Sequence, residues 1–311
     1  MVKSSRGSEF VPKGIVVPMI TPFKGEGMKE IDHKALRQLT EFLIRNNVNG
    51  LMVNGTSGEF TLQSHDERKA ALRTVISAAR KRAPVIAGVS ESSTQNVLDL
   101  ALDAERAGAD AMIATGPIYY KTNDEGLKIH FQKLIDETSL PLMIYNIPDW
   151  IGYNISPEIV LDLFNQNPTR VAGVKFTTND LGLFLEYLRL LKHKISIMIG
   201  SDPLIFSALE LGAAGAVVGS ANVLPRETSK IYSDFVRGSV ENARKMQNKI
   251  DSFTESMVLG TYPSALKAGL SFIGLDVGQA RPPLMPLSKV DLYRVQKSLE
   301  WKKRYRHSRF R

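Results

Sequence analysis

The 311-residue chain contains no cysteine. Disulfides and thiolate metal sites are thereby excluded, and a reducing, cytoplasmic location is favoured. No apolar run is long enough to span a bilayer, and no leader pattern of charge followed by apolar residues opens the chain. A membrane is therefore not an expected partner. Histidine is sparse, with only His33, His65, His130, His193 and His307. None ends a strand-like run and none is paired at ligand spacing, so no metal site is expected. All five read as helix-surface residues. No Ser-His-Asp arrangement stands out, because Ser57 has no histidine in a neighbouring loop. The glycine patterns that cradle nucleotide phosphates are also missing, and no cofactor is expected.

Basic charge is what the chain has in excess. Its formal net charge is +8, but residues 302–311 carry six basic side chains and no acid, which leaves +2 for the rest. The excess reads as a solvated tail over 301–311, not as a basic face, and argues against nucleic acid as a partner. Residues 1–13 are mostly polar and patternless and read as a flexible segment. With 43% hydrophobic and 23% charged residues, the remainder has globular composition and can bury a large core.

Short apolar runs alternate with longer amphipathic stretches. The runs are Ile15–Ile20, Gly50–Val53, Val85–Val89, Ala111–Ala114, Leu142–Tyr145, Ala172–Lys175, Ile195–Ile199 and Ala216–Val218. Between them the spacing is helical, as in Ala35, Leu36, Leu39, Phe42 and Leu43. Asp32 and Ser156-Pro157 read as helix starts, Gly108 and Gly212 as helix stops. Eight continuous apolar strands, each followed by a helix, predict a parallel (β/α)8 TIM barrel over 14–223. Residues 224–300 lack comparable strands and predict a helical C-terminal appendage.

In such a barrel the chemistry lies in the loops after the strands. Lys175 ends the run Val171–Lys175, where its amine would project into the pocket above the sheet. Desolvation there favours the neutral amine, the nucleophile that forms a Schiff base with a ketone. On its own, the same pentapeptide is also that of a lysine opening a surface loop. Tyr145, one strand away, is within reach and could shuttle protons, or could simply be a core tyrosine. Gly55-Thr56-Ser57-Gly58 offers converging backbone donors and two hydroxyls, which suits a carboxylate.

Together these motifs resemble the dihydrodipicolinate synthase / N-acetylneuraminate lyase family of pyruvate-handling class I lyases and aldolases. Gly55–Glu59 matches its Gly-[Thr/Ser]-[Thr/Ser]-Gly-Glu motif, Tyr145–Pro148 its Tyr-Asn-x-Pro, and Gly173–Lys175 its Gly-[Val/Ile]-Lys. The resemblance implies that Lys175 forms the Schiff base, Tyr145 is the acid/base and Thr56 relays protons to it. It implies that Tyr119 reaches into a neighbouring subunit of a homotetramer. It also implies that Gly55, Thr56 and Ser57 cradle the pyruvate carboxylate, aided by backbone near Val218.

The synthases of this family usually carry an arginine two residues after the proline of Tyr-Asn-x-Pro, to grip the aldehyde's carboxylate. Here that residue is Trp150. Thr177 and Asp202 stand where related sugar-acid aldolases bind polyhydroxy chains. The leading expectation is reversible cleavage of a 2-keto-3-deoxy sugar acid to pyruvate and an aldehyde. The alternatives are dihydrodipicolinate synthase, N-acetylneuraminate lyase and a 2-keto-acid dehydratase. Pro203 after Asp202 departs from the neuraminate lyase pattern. A non-catalytic pyruvate-binding paralogue is the alternative outside enzymes.

Overall fold

The computed structural model describes residues 10–178 and 180–302. Eight parallel strands close into a barrel. They are β1 Gly14–Pro18, β2 Gly50–Val53, β3 Val85–Gly88, β4 Ala111–Ala114, β5 Leu142–Asn146, β6 Val171–Phe176, β7 Ser196–Ile199 and β8 Gly215–Val217. β1 pairs with both β2 and β8, so no edge is left open. Nearly every strand residue is buried, which is why the runs read as continuously apolar rather than alternating. The pleat still sorts them. Val16, Met52, Ile86, Met143, Tyr145, Met198 and Val217 face inward, while Val17, Leu51, Ile144 and Val174 pack under the helices.

Seven long helices follow the strands, beginning with α1 His33–Arg45, α2 His65–Ala79, α3 Thr94–Ala107 and α4 Asp124–Glu137. After the one-turn α5 Pro148–Ile151 come α6 Pro157–Gln166, α7 Leu181–Leu191 and α8 Ile205–Leu211. Their ends follow the sequence signals. The Asp32 carboxylate accepts from the amides of Lys34 and Ala35, and Ser156 caps α6 with Pro157 in its first turn. Such a cap stabilises a helix by about 1 kcal/mol. Gly108 and Gly212 end α3 and α8 with φ of 84° and 105°, a region open to glycine at little cost.

Three features differ from the sequence reading. The helix that closes the eighth unit is α9 Pro225–Val236, which packs on β1 and α8, so the barrel extends past 223 to Val236. The appendage is then α10 Val240–Ser256, α11 Ser264–Phe272 and α12 Lys289–Ser298. Within the segment read as flexible, Phe10 packs against the interior cluster and Pro12 is buried, so 10–13 belong to the barrel floor. A two-residue hairpin, Phe23–Lys24 with Glu30–Ile31, was too short to carry a pattern. Most of the basic tail lies outside the described residues.

His130 corrects the helix-surface reading. It lies on the barrel side of α4, 1% exposed, and its Nδ1 is 2.9 Å from Thr94 Oγ1. Burial pushes its imidazole down to about 4. An unfolded histidine titrates near 6.5. Between those values the unfolded chain binds the extra proton, so stability is complete above about pH 6.5 and falls as pH drops toward 4. The expected share of His130 in the loss between pH 7 and pH 4.5 is roughly 2–3 kcal/mol. Urea unfolding of wild type and His130→Leu at both pH values isolates it. An identical pH slope in the two proteins would contradict it.

Candidate active site

The barrel register brings Lys175 and Tyr145 together. Tyr145 on β5 pairs directly with Lys175 on β6, which in turn pairs with Met198 on β7. Since the three residues are level across neighbouring strands, their side chains enter the same interior layer. Lys175 is 4% exposed, and its Nζ lies 4.0 Å from the centre of the Tyr145 ring. The surface-loop alternative for this lysine is therefore excluded. Space for it comes from Gly200, where a Cβ would stand 1.8 Å from Thr177 Oγ1 and 3.2 Å from Lys175 Cε.

Lys175 opens into a cavity of about 300 Å³ that is also lined by Thr56, Ser57, Tyr145, Trp150 and Thr177. An adjoining cavity of about 420 Å³ shares Thr56, Tyr145, Ile147, Trp150 and Tyr262 with the first. Thr56–Gly58 form one turn of 3-10 helix, held between the left-handed residues Asn54 (φ 59°) and Glu59 (φ 61°). Gly55 caps that turn without lining either cavity. Thr177 Oγ1 is buried without a hydrogen-bond partner, which leaves a hydroxyl for a bound molecule to satisfy.

The remaining expected site residues differ in their placement. Asp202 lies at the inner cavity, but its carboxylate accepts from the backbone amides of Gly219 (3.2 Å) and Ser220 (2.7 Å). Burial raises its pKa, while those hydrogen bonds and the Lys175 charge oppose the rise. Asp202 thus holds the turn after β8 while lining the cavity. Val218 packs in the outer core, its amide donating to Val16 O, and it is Val217 that lines the cavity. Tyr119 is 84% exposed with φ 82° and lies outside both cavities, its ring edge-on to Tyr120. Its loop is pinned from behind by Tyr153, whose Oη donates to Pro117 O at 2.7 Å. Burial pushes the Tyr153 phenol up to about 12, which keeps it a donor.

Sequence reasoning missed the roof of the site. Thr254, Met257, Val258 and Tyr262 come from the helical C-terminal region, so that region completes the pocket. No local pattern links them to the barrel loops.

The chain matches the Dihydrodipicolinate synthetase family over residues 11–302. A 4-hydroxy-tetrahydrodipicolinate synthase of Thermodesulfovibrio yellowstonii is 33% identical over 279 residues, 90% of this chain and 94% of the relative. One of Methanocaldococcus jannaschii is 32% identical over 277 residues, 89% and 94% of the two chains. Among solved structures, a dihydrodipicolinate synthase superposes with a TM-score of 0.89 at 31% identity, covering 94% of this chain and 99% of the other. YagE, a prophage protein of E. coli K12 solved in complex with pyruvate, gives 0.89 at 26% identity, covering 94% and 98%. The protein belongs to the dihydrodipicolinate synthase family of pyruvate-dependent class I aldolases. Among the described residues, no helix is long and apolar enough to cross a membrane.

Proposed function

We propose that the protein forms a Schiff base between Lys175 and pyruvate, and makes or breaks a carbon–carbon bond at the pyruvate methyl carbon. The observation that carries this is the buried Lys175 amine level with Tyr145 in an open cavity. The amine adds to the ketone and water leaves, giving the imine. Loss of a methyl proton gives the enamine, which attacks the aldehyde carbonyl, and hydrolysis then frees Lys175. Cleavage is the same path reversed. In this reading Tyr145 carries the protons, and Thr56, which lines the same cavities, relays them. Ser57, which lines the cavity, and the amides of its turn hold the pyruvate carboxylate in this reading. Tyr119, exposed outside its own cavities, fits a role in a neighbouring subunit of a homotetramer. The absence of cysteine fits a cytoplasmic location.

The names of the curated relatives favour the synthase reading, condensation of pyruvate with aspartate semialdehyde, over the sugar-acid lyase expected from the sequence. One feature of the site favours the lyase. Trp150 stands at the border of both cavities, and Lys175 is their only basic lining residue among those described. Arg281, a candidate substitute, is engaged elsewhere. Its guanidinium donates to Met28 O, Lys29 O and Leu62 O and pairs with Glu67. A carboxylate on the aldehyde would lack a cation, whereas the indole offers an apolar face to a sugar chain.

Rates measured side by side decide between them: condensation with aspartate semialdehyde against pyruvate release from 2-keto-3-deoxygluconate and 2-keto-3-deoxygalactonate. Efficient condensation by the wild type would retire the lyase reading. Trp150→Arg is expected to shift the ratio toward the semialdehyde by about tenfold or more, the worth of one charge-assisted bond. An unchanged ratio would remove residue 150 from substrate choice.

A further inference from the structure

Tyr262 is the side chain of the site that neither the motifs nor the reaction scheme uses. It stands just before α11, yet its Oη lies 2.6 Å from Ser57 Oγ, across 205 residues of sequence. Both ends of this contact are held rigidly. Ser57 is 2% exposed inside its 3-10 turn. On the Tyr262 side, the hydroxyls of Thr261 and Ser264 both donate to Met285 O, at 3.0 and 2.8 Å. The phenol also has dedicated room. A Cβ at Gly219 would stand 2.8 Å from Tyr262 Oη, so the turn after β8 admits the phenol only because residue 219 has no side chain. On its outer side the Tyr262 ring meets Trp150 edge-to-face, with centroids 6.2 Å apart.

Each of the two hydroxyls carries a single proton. If Ser57 gave its proton to Tyr262, it would have none for a substrate anion. If Tyr262 donates instead, the serine proton is released toward the cavity that Lys175 shares. Burial raises the Tyr262 pKa far more than the Ser57 bond lowers it, so the phenol keeps its proton at any working pH.

We infer that Tyr262 is a positioning residue that donates to Ser57 Oγ and thereby turns the serine proton onto the carboxylate of lysine-bound pyruvate. The inference rests on the Schiff-base reading above. It assigns to the C-terminal helical region a part in selecting an α-keto acid over an uncharged ketone.

The test compares pyruvate with methyl pyruvate, which presents the same ketone without the charge. Reductive trapping with cyanoborohydride is followed by mass spectrometry of the Lys175 peptide as ketone concentration is varied. In Tyr262→Phe, half-saturation by pyruvate should rise about tenfold, the value of a hydrogen bond to a charged group. Half-saturation by methyl pyruvate should move less than about twofold, being uncharged. Ser57→Ala should reproduce the pyruvate effect, and the double variant should add nothing to it, as expected of two groups acting as one unit. If the Phe variant fails to fold, Tyr262→Leu removes the same donor and is read in the same way. An unchanged pyruvate response, or an equal shift with both ketones, would overturn the inference while leaving the Schiff base standing. A wild-type protein that traps no ketone on Lys175 would overturn the Schiff-base reading, and this inference with it.

Discussion

Lys175→Ala is expected to abolish turnover, and borohydride added with pyruvate is expected to leave a reduced adduct on Lys175 of the wild-type protein. The size of the effect follows from the mechanism. Without the amine there is no imine, and without the imine no route to the enamine, so the loss is of the whole pathway rather than of one stabilising contact. The buried position makes trapping selective. Lys175 is 4% exposed and opens into a cavity of about 300 Å³, which can hold the ketone against its amine. Peptide mass spectrometry after trapping checks both parts. No mass shift, or a shift on a different lysine, would sink the mechanism.

Removing Lys267 is expected to cost about 3–5 kcal/mol of stability, the usual result of leaving a buried charge without its partner. Lys267 on α11 meets Glu59 at 2.6 Å, with side chains 2% and 0% exposed. Glu59 ends the Gly55–Glu59 motif, and its other oxygen accepts the Arg281 amide at 2.7 Å. Lys267 also donates to Gln279 O and lies 4.3 Å from the centre of the Phe23 ring. Burial pushes the ammonium down to about 8 despite Glu59. Desolvation therefore outweighs the attraction, and the pair adds little net stability. What it contributes is placement, because it ties the C-terminal helices to the turn that holds Thr56 and Ser57. Chemical denaturation of Lys267→Met should show the loss. The Glu59→Gln, Lys267→Met double variant should be less damaged than the single one, since no lone charge then remains. A Lys267→Met protein within about 0.5 kcal/mol of wild type would refute this account, since that is the range of an ordinary surface substitution.

The barrel was legible because its strands are buried on both sides. The eight runs are predominantly apolar and bounded mostly by polar residues, proline or glycine, so their ends could be read to within two residues. The Lys175–Tyr145 pair was legible for a related reason. Consecutive strands of a parallel barrel are neighbours, so two strand-end residues on β5 and β6 must lie close. The turn at Gly55–Glu59 could be placed at the mouth by the same rule.

The misses have a common cause. His130 sits on an amphipathic helix whose polar and apolar positions do not tell a buried imidazole from an exposed one. Asp202 lines the cavity as its position suggests, and only the fold shows that it also accepts from the amides of Gly219 and Ser220. The hairpin at Phe23–Ile31 has strands of two residues, too few for any period to show.

The sequence by itself determined the strand count, the parallel closure and the nearness of Lys175 to Tyr145, because each is encoded in short windows where periodicity and strand order carry the information. Tertiary structure alone decided what closes over the lysine. Ser57 meets Tyr262 and Glu59 meets Lys267 across more than 200 residues of chain. Contacts of that range have no local periodicity to announce them and exist only once the helical region has docked on the barrel.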